Sequence, residues 1–185
     1  LAVGALGLAT LAETNAHTQD MASHGVPMIT LVKDLTNATT TLRLADTDQA
    51  VGTTTATAER YEGESAIAEK NIRSILAEYR ATDPQPDQLA LLDAFEKNFE
   101  AYLTLRDEQL FPAGRAHDLA MWSIARQSAR ATVGSLTATL RELEASEQAE
   151  IAETAASAQA AYEGNRAQVA GLLLVGLAAA VALGL

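Results

Sequence analysis

Metal and proton chemistry in a helical chain needs histidines and carboxylates on one face, three or four residues apart. This sequence has three His and no Cys. Glu13 and His17 are one close pair, and Glu-x-x-His does not occur. His17 and His24 stand on one stripe, seven residues apart, so that two copies of the chain could present four imidazoles. Packing or surface residues are the simpler reading. No Gly-rich phosphate loop, nucleophile elbow or triad spacing is present. Neither an enzyme, nor a metal, nor a cofactor is expected. The cations are more informative. Arg43 lies far along the first helical stripe, Arg106 on the apolar side of a later one, and Trp122, Arg126 and Arg130 follow it. Arg106 is read either as a snorkelling or salt-bridged residue or as part of a site. Trp122, the sole Trp, is read either as a core or loop anchor or as a ligand platform.

Composition names the elements that must position these groups. Across 185 residues, 48% are apolar and only 4% aromatic, and the apolar share is rich in Ala and Leu, which favours helices over sheet. The net charge is −11, and every charged residue lies between Glu13 and Arg166. An acidic surface of that strength argues against binding nucleic acid or anionic lipid head groups.

From His17 a heptad stripe runs through Met21, His24, Met28, Leu31, Leu35, Ala38, Leu42 and Ala45, closing at Gln49 and Gly52. Alternating steps of four and three are the period of a helix packed in a bundle. The first helix is expected over about residues 15–50, with a kink or local break at Gly25-Val26-Pro27. Thr36, Thr39, Thr40 and Arg43 share one flank of it, as a solvated or dimer face would. Val51–Thr57 reads as a turn. A second helix carries Ala58, Tyr61, Ser65, Ala68, Ile72, Ile75 and Tyr79 on one face, and sets Glu69 and Arg73 for an i,i+4 pair. Thr82–Asp87, with two prolines flanked by carboxylates suited to capping, is the clearest stop and start.

The third helix is expected over about 87–110, with Leu89, Leu92, Phe95, Phe99, Tyr102, Leu103 and Leu110 inward and Phe111–Arg115 as its end. The long fourth carries Leu119, Trp122, Ala129, Val133, Leu136, Leu140 and Leu143. Past Glu144 its stripe thins to Ala and Thr, and Val169–Leu185 has no charged or polar side chain. At about 1.5 Å per residue, the fourth segment to Arg166 is roughly 20 Å longer than the first. Either Ala116–Ile124 forms a separate distal helix or the first helix continues towards Gly63, and the former is preferred.

The expected architecture is all-α: an up-down-up-down four-helix bundle flanked by two partial transmembrane helices. Residues 1–12 are read as the end of a first span, 13–166 as the bundle between the spans, and 167–185 as the start of a second span. Leu1–Ala12 could otherwise be a signal-peptide remnant or a short core strand. The preferred reading has the chain cut from a longer protein at both ends.

So placed, the helices resemble the four-helix-bundle sensor domains of methyl-accepting chemotaxis proteins. Val26-Pro27 carries the likeness near the first span, and Asn71-Ile72 with Leu76-Ala77-Glu78-Tyr79 carries it at the end of the second helix. Phe99–Leu103, Arg106-Asp107-Glu108 and the Pro112/Gly114 break carry it in the third. Leu140, Leu143 and Glu147, ahead of an Ala-rich run to Tyr162 and Arg166, carry it in the fourth.

The resemblance implies a homodimeric, multi-pass receptor of the cell membrane with its bundle outside. A small-molecule solute or a solute-binding protein would bind near the distal end. The fourth helix would then shift and pass the signal to a cytoplasmic histidine kinase and adaptor through regions not in this sequence. The same bundle also serves as input to membrane histidine kinases and cyclic-dinucleotide enzymes, and a membrane-anchored adaptor that binds only protein is a further alternative. In amino-acid-sensing members, arginines on the distal first helix and a hydroxyl near the start of the fourth hold the ligand. Arg43 and Ser128 match those positions, and Thr47 stands where a further arginine would be expected. With Arg106, Trp122 and Arg126 these form the candidate ligand-binding set. One arginine flanked by Asp46 and Asp48 is a poor carboxylate trap, so an amine, a neutral solute, a docking protein or no solute fits as well.

Overall fold

A computed structural model describes residues 25–184 of the chain. Leu1–Ala12, His17, Met21 and His24 lie outside the described residues. The described residues are helical apart from short links, with no strand among them: α1 is Val26–Val51, α2 Thr55–Arg80, α3 Pro86–Leu105, α4 Phe111–Arg115 and α5 Leu119–Gly184. A π-helical turn, Arg106–Leu110, joins α3 to α4. Among the described residues no helix is long and apolar enough to cross a membrane.

Met28–Ser146 forms one compact unit, and a second takes in described residues up to Pro27 and from Glu147 onward. In the first unit the heptad stripe is the core. Met28, Leu31, Leu35, Ala38, Leu42, Ala45 and Gln49 are all buried, and the stripe from Met28 to Leu42 packs with Ile72, Ile75 and Tyr79 of α2, Phe95 and Phe99 of α3, and Leu136, Leu140 and Leu143 of α5. One apolar cluster drawn from four long helices makes the unit a helical bundle. Tyr61, Leu89, Trp122 and Val133 are only partly buried. Leu119, expected on the stripe, is exposed, because α5 begins there and its first turn precedes the packed segment. In the second unit, Gly25 is π-helical, so the backbone departs from α geometry at the expected irregularity. A Cβ at Gly25 would lie only 2.8 Å from the Ile151 side chain, so glycine permits that close approach.

The links are shorter than the sequence suggests, and side chains explain why. The expected turn Val51–Thr57 contracts because the Thr54 hydroxyl accepts the Thr57 N–H at 3.2 Å, capping α2 at Thr55. Between α2 and α3, Asp83 takes a left-handed φ of 59°. The α3 start is capped by the Gln88 side chain, which accepts the Gln85 N–H at 2.8 Å, with Pro86 in the first turn. The flanking carboxylates are not the caps there.

Phe111–Arg115 does not end the third helix as expected. The helical run continues through the π turn, where the Phe111 N–H reaches back to the Arg106 carbonyl. That widened turn stands directly before Pro112, which has no N–H to give. The run stops instead at His117, with φ of 52°. His117 donates to the Gly114 carbonyl at 2.9 Å and Asp118 to Ala113 at 3.0 Å, the paired bonds of a Schellman stop. Asp118 then caps α5, its carboxylate accepting the Met121 N–H at 2.9 Å. Stop and cap abut, so Ala116–Ile124 is not a separate helix. Nor does α1 extend towards Gly63, since it ends at Val51.

Candidate functional site

Four of the six expected residues come together. Arg43 and Thr47 of α1 and Trp122 and Arg126 of α5 line a cleft of about 680 Å³, which Tyr102 of α3 and Arg130 of α5 also border. The helical repeat explains the α5 contribution, because residues three and four apart share a face. Trp122, Arg126, Arg130 and Val133 all line the cleft. Ser128 lies about 200° around the helix from Arg126, two residues at 100° each. It is exposed, and its hydroxyl donates to the Ile124 carbonyl at 3.2 Å. The hydroxyl that borders the cleft from this helix belongs to Ser123.

Arg106 is not in the cleft either. It is buried, donating from Nε to Asp107 at 2.7 Å, from Nη2 to Glu69 at 2.9 Å and from Nη1 to the Ser65 hydroxyl at 3.2 Å. Burial opposes its charge, yet the Asp107 and Glu69 hydrogen bonds keep its pKa above the ordinary arginine value. It is the salt-bridged arginine of the two readings.

The arginines divide by what they touch. Arg60, Arg73, Arg80, Arg106 and Arg115 all pair with carboxylates. Of the five that form no ion pair with the described residues, Arg43, Arg126 and Arg130 line one cleft, and Arg141 and Arg166 do not. Arg126 lies over the Trp122 ring at 5.6 Å from its centroid, while the shielded indole N–H of Trp122 meets no acceptor. A second groove of about 720 Å³, between α1 and α2, is lined by Asp34, Glu64 and Lys70 with no excess of cations.

Asp46 corrects the view of Arg43 as hemmed in by like-charged aspartates. It borders the cleft but is buried, accepting from the Ser65 hydroxyl at 2.5 Å and from the Tyr102 hydroxyl at 2.7 Å. Burial raises its pKa, outweighing the two hydroxyls and Arg106, which lower it. Tyr102 is held neutral, by burial first and by the neighbouring Asp46 carboxylate. Asp48 does not line the cleft. Three guanidiniums against one sequestered carboxylate make this a local cationic site in a chain of net charge −11.

A second polar cluster ties the bundle beside it. The Gln49 carboxamide donates to Glu62 at 3.0 Å and to the Phe111 carbonyl at 3.3 Å, and Glu62 accepts from Arg115 Nε at 2.8 Å. The Gln49 carbonyl lies so close to Gly114 that any Cβ there would overlap it. Glu62 and the Phe111 carbonyl take up the Gln49 amide N–H groups, while the buried Gln49 Oε1 accepts no hydrogen bond among the described residues. Sequence reasoning passed over Asp46, Tyr102 and Ser123 as site residues, although the spacing from Trp122 through Arg126 and Arg130 to Val133 was there to be read. Compared with protein-family models, curated proteins and solved structures, the chain matches none.

Proposed function

We propose that this chain is the extracytoplasmic ligand-sensing part of a transmembrane receptor, of the kind that methyl-accepting chemotaxis proteins carry, and that its ligand is a small organic anion. The observation that supports this best is the collection of Arg43, Arg126 and Arg130, all without ion-pair partners among the described residues, on one cleft of an acidic protein. Unpaired guanidiniums are the usual donors for carboxylates, and Tyr102, Leu110, Trp122 and Val133 offer apolar surface for a carbon skeleton. An anion bridging α1 and α5 holds those helices in one packing. It acts on the protein by whatever difference in affinity it has between that packing and another. On this reading the bundle is up-down-up-down and homodimeric, and the apolar run Val169–Leu185 belongs to lipid. The displacement of α5 passes to a cytoplasmic histidine kinase and adaptor.

A thermal-shift panel tests the reading. Succinate, malate and citrate, each at about a hundred times its dissociation constant, are expected to stabilise the bundle by about 2.7 kcal/mol through mass action. Cadaverine and neutral sugars are expected to do nothing. Stabilisation by none of these classes, together with capture of a protein partner, sinks the sensor in favour of an adaptor bundle.

A further inference from the structure

Asp46 is out of place in a cleft for anions. It borders the same cavity as Arg43 and Arg126, it is only 2% exposed, and among the described residues it forms no salt bridge. Two neutral hydroxyls hold it instead, Ser65 and Tyr102. The groups around it come from every packed element. Ser65 is on α2, backed by Glu69 through Arg106; Tyr102 is on α3; Arg106 and Asp107 are on the π turn. Arg43 is on its own helix, and Arg126 and Arg130 are on α5. The network accommodates a neutral acid as well as a carboxylate. Ser65 already accepts from Arg106, and the Tyr102 hydroxyl can turn to accept a hydrogen bond from the acid.

We infer that anion binding in this cleft is linked to protonation of Asp46, so that the site reads a solute anion and acidity together. The inference rests on the anion-sensing reading above. Two like charges in one partly dehydrated cleft repel each other, and neutralising Asp46 removes that repulsion. By reciprocity a bound anion draws a proton onto Asp46. The sign follows. Below the free-site pKa the acid is neutral with or without ligand, and affinity is on its high plateau. Above the bound-site pKa it is charged in both states, and affinity is on its low plateau. Between them binding takes up a proton, and affinity falls as pH rises. The raised pKa that burial gives Asp46 moves this window up from the ordinary carboxylate range.

Ethane-1,2-disulfonate is the probe, because it stays a dianion across the range. Titration calorimetry on the full 185-residue chain is expected to show affinity falling about tenfold from about pH 5 to about pH 8, the equivalent of one pKa unit. In the intermediate range the heat should depend on the ionisation enthalpy of the buffer, showing uptake of up to one proton. Asp46→Asn keeps the shape and hydroxyl partners of the side chain, and should hold the tighter affinity at every pH. The buffer dependence is read on the unsubstituted chain, so it stands even where the variant fails to fold. Binding that is flat with pH and indifferent to buffer overturns the linkage and leaves the anion site intact. Absence of binding at any pH overturns the anion site itself, and the linkage with it.

Discussion

Replacing Arg43 and Arg126 together with Ala abolishes anion binding while leaving the bundle folded. A charge-assisted hydrogen bond contributes about 1.5–3 kcal/mol, so each single substitution should weaken binding roughly tenfold to a hundredfold. The pair should weaken it about a thousandfold or more, beyond what calorimetry detects. Stability should change little, because neither guanidinium has an ion-pair partner among the described residues to lose. Arg126 gives up only its place over Trp122, worth about 0.5–1 kcal/mol at an exposed site. Arg106→Ala is the contrasting control. It leaves the buried Ser65 hydroxyl without its donor and Glu69 with Arg73 alone, and so damages the fold before it touches the cleft. Calorimetry and a denaturant melt on the same samples separate the two effects.

Phe99→Ala should be the most damaging single change to the bundle. Phe99 is 0% exposed, its ring lies stacked with Phe95 at a centroid distance of 5.9 Å, and the Arg73 guanidinium lies 5.5 Å from its centroid. Truncation loses the transfer free energy of the ring and leaves a cavity that the close-packed helices fill only in part, together about 3–5 kcal/mol. For a unit of this size that lowers the melting midpoint by roughly 10 °C or more. Equilibrium urea unfolding checks it: the midpoint should fall with the slope unchanged. A loss under about 1 kcal/mol would mean that Phe99 is not packed as described.

The same periodicity that made this core legible also misled. Steps of four and three put Met28 through Gln49 on one stripe, and every one of them is buried, because a heptad pattern and a bundle core are the same physical fact. Local hydrogen bonds set the boundaries, and residue types alone rank them poorly. Thr54, Gln88 and Asp118 each cap a helix through one side-chain contact, and His117 ends another by taking a left-handed φ that favours glycine. Pro112 was read as a terminator, but a π turn absorbs its missing donor and carries the helix past it.

The site divides along similar lines. Arg43, Thr47, Trp122 and Arg126 were legible because position on a helix fixes which neighbour a residue can meet. Ser128 came from matching one position to a resemblance, and the helical repeat turns it to the other side. For Asp46 the sequence shows a charge beside Arg43. It does not show that Ser65 and Tyr102, nineteen and fifty-six residues away, hold that charge below the surface.

The most direct test is whether an anion moves α5 against α1. The chain has no Cys, so spin labels go only to Lys33→Cys and Arg141→Cys, both exposed within the Met28–Ser146 unit, and dilution with unlabelled chain isolates the distance within one copy. Pulsed electron-electron resonance with saturating succinate should shift the mean label distance by about 1–2 Å, the scale of helix movements in signalling bundles. The shift should vanish when Arg43 and Arg126 are both replaced by Ala. An unchanged distance distribution at saturating anion, or the same shift without those arginines, would contradict a sensor that works through this cleft.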